Sequence, residues 1–131
     1  MRLQPFTPQR FRRRVFSQLW MLALQFVLGM VLNLVDGRTG RAWHTFYAVV
    51  LVAHILNAIG LVEGGVYITL KNPDRLNSWA TAAMGVAFGA GILTARTGND
   101  AWSFVMACGF LAAAWLYVML YTRTGQIAQK T

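Results

Sequence analysis

The sequence predicts an all-α integral membrane protein: an up-down bundle of four transmembrane helices with both termini on the cytoplasmic side. Three observations carry that expectation. Of the 131 residues, 56% are hydrophobic and only 12% are charged, whereas soluble domains average about 25% charged. Four apolar stretches are each long enough to cross about 30 Å of hydrocarbon at about 1.5 Å per residue. The basic residues behind the net charge of +8 flank those stretches or lie between them. A lone apolar strand in lipid would leave its backbone groups unpaired, so all four stretches are predicted as helices.

The chain opens on a basic tail, 1–14, holding Arg2, Arg10, Arg12, Arg13 and Arg14. The first span, 15–35, is uncharged. Its apolar run exceeds that of a signal peptide and no small-residue cleavage site follows, so it is expected to be retained. Asp36-Gly37 and Thr39-Gly40 then mark a turn. The second span, 42–70, contains His44, His54 and Glu63, and Asn72-Pro73-Asp74 closes it. The third, 76–95, is uncharged, with Asn77 or Ser78 as candidate cap. Thr97-Gly98-Asn99-Asp100 leads into the uncharged fourth span, 101–122, with Asn99 or Asp100 as candidate cap. A short tail, 123–131, ends the chain. Trp20, Trp43, Trp79, Trp102, Tyr67 and Tyr121 fall near predicted span ends, where amphipathic rings prefer the membrane interface. The N-terminal arginines, Lys71, Arg75, Arg123 and Lys130 share one side, against Arg38, Arg41 and Arg96 on the other. Basic residues concentrate on the cytoplasmic side, which places both termini there.

Polar residues inside the spans are the informative ones, because each is costly in lipid without a partner. Gln18, Gln25 and Asn33 share one stripe of the first helix with Gly29, and Tyr47, His54 and Asn57 lie on a comparable face of the second. Matching depths in antiparallel helices sets Gln25 level with His54 and Asn57, Gln18 level with Glu63, and Asn33 near Tyr47 and His44. Two readings stay open: hydrogen-bonded glue between helices, or a polar path through the bundle. Glu63 is the only acid well inside a span. An intramembrane carboxylate is a candidate proton relay, cation site or counter-ion, and the plain alternative is pairing with Gln18 or a snorkelling Arg14. Nine residues, about 900°, separate His54 from Glu63, so an unkinked helix holds them on opposite faces, one turned toward another subunit.

His54 at mid-span is also a candidate haem ligand. His44 lies about 15 Å along the same helix, so a second ligand would have to be Met30, Met84, Met106 or His54 of another protomer. Haem is accordingly not the favoured cofactor, and hydrogen-bonded packing is the plainer role. Small residues mark close helix packing: Ala53, Asn57, Gly60 and Gly64 on the second helix, Gly85-x-x-x-Gly89 and Ala83-x-x-x-Ala87 on the third, and Gly109-x-x-x-Ala113 on the fourth. The surplus on the third helix points to a homodimer or to a larger membrane partner.

The single Cys108 permits no internal disulfide, and no phosphate-binding loop, nucleophile triad or zinc spacing is present. No catalytic residues, metal ligands or nucleic-acid partner are expected. The N-terminal arginines set topology, with anionic headgroups as a second use. The stretch from Gln25 to Leu34, Q-F-V-L-G-M-V-L-N-L, resembles the opening helix of uncharacterised small bacterial membrane proteins, which implies the bacterial inner membrane and no particular activity. The function expected is a non-enzymatic accessory or assembly subunit of a larger membrane complex. The alternatives are a dimeric channel or proton-coupled transporter using Glu63, and a haem b electron-transfer protein using His54.

Overall fold

A computed structural model describes residues 4–128. Four α-helices follow one another: α1 Pro8–Val35, α2 Arg41–Lys71, α3 Arg75–Thr97 and α4 Asp100–Ala128. Each is long and apolar enough to cross a membrane. Turns of a few residues make successive helices antiparallel. α1 packs on α2 and α4, and α3 on α2 and α4, which closes the four into a ring.

The helices outrun the apolar spans at two places. α1 begins at Pro8, so Arg10 to Arg14 form its first turns instead of a tail. Pro8 fits the first helical turn because no amide donor is needed there, and arginine is a good helix former. α4 likewise continues past residue 122 to Ala128. Arg2 and Lys130, counted above as topology signals, lie outside the described residues.

Turn chemistry sets the remaining ends. Gly98 stops α3 in the left-handed conformation (φ 62°), donating its N–H to the Thr94 carbonyl. Asn99 caps α4, its Oδ1 accepting from the Ala101 N–H at 2.9 Å. At α3 the expected cap shifts: the cap position is Asp74, in extended backbone (φ −126°, ψ 146°), and the helix starts at Arg75 directly after the turn. Asn77 is instead wholly buried within α3, its Nδ2 donating to the Asn72 carbonyl at 3.1 Å.

The buried apolar cluster draws on Phe11, Val15 and Leu22 of α1, Leu61 and Ile68 of α2, Ala80 and Met84 of α3, and Ala113, Tyr117 and Leu120 of α4. All belong to the half of the bundle nearest the termini. In the other half Val35, Val50, Ala90 and Gly109 are the buried residues. The outer surface is strongly apolar: Phe104 is 71% exposed and Trp115 68%. Apolar exposure on this scale is foreign to a soluble monomer.

Candidate functional site

The seam between α1 and α2 gathers most of the polar residues singled out from the sequence. Asn57 donates from Nδ2 to the Met21 backbone carbonyl at 2.9 Å and to Gln25 Oε1 at 2.8 Å. The Gln25 amide nitrogen donates in turn to His54 Nε2 at 3.0 Å. One amide thus accepts from a neighbour and donates to the ring, an arrangement satisfied when His54 carries its proton on Nδ1. That Nδ1 is buried without a partner among the described residues. The ring edge lies against Gly29, where an added Cβ would meet Cε1 at 3.5 Å.

Small residues let the seam close. A Cβ on Gly60 would lie 3.0 Å from Met21 Cε, and one on Gly64 would land on the Gln18 amide. Gln18 is buried and its Oε1 has no hydrogen-bond partner among the described residues. Asn33 is exposed, and no side-chain hydrogen bond joins it to Tyr47 or His44.

Glu63 points elsewhere. It is exposed, in line with Val52, Leu56, Ile59, Val66 and Leu70 on the outer face of α2. Among the described residues no ion pair or hydrogen bond joins it to Gln18 or Arg14. Its separation from His54 follows helix phase: α2 runs unbroken through Gly60, Gly64 and Gly65, so the ring faces α1 while the carboxylate faces out of the ring of helices.

The two small-residue rows of α3 also part company. Ala83 and Ala87 receive α4: a Cβ on Gly109 would lie 2.9 Å from the Ala83 carbonyl oxygen and 3.1 Å from the Ala87 nitrogen. Gly85 and Gly89 face open space, with nothing within 4 Å of an added Cβ.

A second polar layer escaped the sequence reading. Thr69 and Thr81 share a hydrogen bond of 2.9 Å between α2 and α3. The Thr81 Oγ1 and the Tyr117 hydroxyl both converge on Gly65, each 3.1 Å from an added Cβ. Tyr117 is wholly buried. The spacing of Asn77, Thr81 and Met84 on one face of α3 is the signal that would have found this layer.

Two openings lie at the terminus-bearing end. One cleft of about 610 Å³ is lined by Arg10, Arg12, Arg13, Phe16 and Tyr121, and another of about 340 Å³ by Phe6, Arg10, Arg13, Arg14 and Tyr67. His54 lines neither. Among the described residues no group of three or more His, Cys, Asp or Glu is placed to hold a metal ion. Comparison with protein-family models, curated proteins and solved structures finds no match to this chain.

Proposed function

We propose that this chain is a non-enzymatic accessory or assembly subunit of a bacterial inner-membrane complex, inserted with both termini cytoplasmic, and that it docks through the outer faces of α2 and α3. The observation that carries the proposal is Glu63: an ionisable side chain in an otherwise apolar outward stripe, about 10 Å from the middle of its helix. A carboxylate at that depth is expensive in lipid unless something outside the chain receives it. Gly85 and Gly89 offer close backbone approach on the adjoining helix. The polar seam supports the same function from the other side, because Gln25, His54 and Asn57 are engaged with one another and hold α1 to α2.

The test is mild-detergent purification of the tagged chain from its native membrane, with the mass of the intact particle measured. A defined heteromeric particle that Glu63→Leu and Gly85→Leu both dissolve, while Arg38→Gln leaves it intact, is the expected result. A bare monomer from the native membrane refutes docking. The second reading, a homodimer that passes protons or cations, is favoured by the ionisable nature of Glu63. It requires a two-copy particle and ion flux abolished by Glu63→Gln.

A further inference from the structure

The arginine-rich end of α1 is not used by the docking face. Arg10, Arg12, Arg13 and Arg14 follow one another within its first two turns, and all four are exposed. Among the described residues none has a carboxylate within 4.0 Å; the one ion pair, Arg123 with Asp74 at 3.5 Å, lies elsewhere at this end. Four like charges so close together repel one another without a counter-ion.

Two of the four, Arg12 and Arg14, are tethered sideways. Arg12 donates to the Tyr121 hydroxyl of α4 at 3.3 Å and sits 4.8 Å from that ring centre. Arg14 lies 5.9 Å from the ring centre of Tyr67 on α2, which Lys71 also approaches at 6.0 Å. Arg10 and Arg13 make no side-chain hydrogen bond among the described residues. They form a wall common to both clefts, one opening between α1 and α4 and the other between α1 and α2. Below the larger cleft an apolar stripe of Phe16, Trp20, Leu24 and Val27 runs down the outer face of α1.

We propose that these paired clefts bind one anionic phospholipid carrying two phosphodiesters on a single glycerol bridge, the cardiolipin class. Each cleft takes one phosphate, Arg10 and Arg13 fork between the two, and the acyl chains descend along the apolar stripe. Guanidinium groups suit this task because their donors match phosphate oxygens two at a time. Basic pockets between helix ends at the cytoplasmic face are favourable places for such headgroups. The site rests on membrane insertion with this end at a headgroup layer, and not on docking through Glu63.

The test incorporates the purified full chain into phosphatidylcholine nanodiscs doped with tetraoleoyl cardiolipin, or with dioleoyl phosphatidylglycerol at matched phosphate. Anionic lipid retained on the ejected protein is counted by native mass spectrometry. The expected result is at least tenfold preference for cardiolipin, lost in the double variant Arg10→Gln/Arg13→Gln and kept in Arg38→Gln/Arg41→Gln at the opposite end. Arg10→Lys/Arg13→Lys, which keeps the charge and loses the fork, retains an intermediate amount. Equal retention of phosphatidylglycerol, or undiminished cardiolipin on the glutamine variant, overturns the site. Displacement of cardiolipin by equimolar inorganic pyrophosphate assigns the clefts to soluble phosphates and overturns it too. A chain that fails to enter the nanodiscs refutes membrane insertion itself, whereas entry without lipid preference refutes the lipid site alone.

Discussion

Replacing Gly109 with alanine adds one methyl group where α3 and α4 touch backbone to backbone. The new carbon would lie 2.9 Å from the Ala83 carbonyl oxygen, 3.1 Å from the Ala87 nitrogen and 3.2 Å from the Ala87 methyl. Ordinary contact begins at 3.4 Å, so the helices must separate by about half an ångström. No rotamer change relieves this, because two of the three obstructing atoms are main chain. A gap of that size forfeits about a quarter of each dispersion contact along the seam, and overpacking of this kind costs about 1–3 kcal/mol. Against it stands the better helix propensity of alanine, at most about 1 kcal/mol and less in lipid, where separated helices keep their backbone bonds. The net expectation is destabilisation by about 1 kcal/mol or more. Gly85→Ala makes the same chemical change on α3 with nothing within 4 Å, so it gains up to the propensity term and nothing opposes it. Unfolding both variants in mixed micelles of rising SDS fraction, followed by tryptophan fluorescence, puts the two side by side. Equal shifts, or a neutral Gly109→Ala, would refute the assignment of the α3–α4 seam to the Ala83 row.

Asn57→Leu removes the bonds to Met21 and Gln25 and, at about 0.6 kcal/mol per interhelical bond, lowers stability by about 1 kcal/mol in the same titration. Glu63→Gln, on the outer face, leaves the unfolding midpoint of the isolated chain within about 0.5 kcal/mol of wild type, although the docked particle weakens; a large drop would place Glu63 in an internal contact. Breaking the exposed Arg123–Asp74 pair with Arg123→Gln changes stability by no more than about 0.5 kcal/mol. The purified protein is expected to show no Soret band, because Gln25 occupies His54 Nε2 and Gly29 abuts the ring; a haem spectrum abolished by His54→Ala would replace packing with ligation.

The four helices were legible because apolar length and the position of charge are both one-dimensional quantities. Their ends were not: arginine marks where hydrocarbon stops, yet as a good helix former it lets α1 continue through Arg10 to Arg14. Depth counting sufficed to bring Gln25, His54 and Asn57 to one level, since antiparallel helices of known centre leave little freedom. Rotation about the axis was legible only as a difference, which is why the opposition of His54 and Glu63 could be stated but not which of them faced inward. On α3 the Ala83 and Gly85 rows are equivalent in sequence, and only packing decides that the first meets α4. Tyr117 gave no signal because α4 is apolar around its whole circumference and no face stands out.

The two seams differ in how they resist sliding. Small residues recur every fourth position on α3, at Ala83, Ala87 and Gly91, so a displacement of one helical turn, about 5.4 Å, presents Gly109 with a similar notch. The α1–α2 seam has small residues at the same spacing, Gly60 and Gly64, but its polar contacts do not repeat. Moving α2 by one turn carries Asn57 away from both the Met21 carbonyl and Gln25, and His54 away from its amide, breaking all three bonds together. In the proposed membrane setting, lipid offers no hydrophobic reward for choosing between such positions. In a closed ring a slipped α3–α4 pair no longer fits α1 and α2, so the alignment fixed by Asn57 is imposed on all four helices, and the polar seam serves the chain as its index mark.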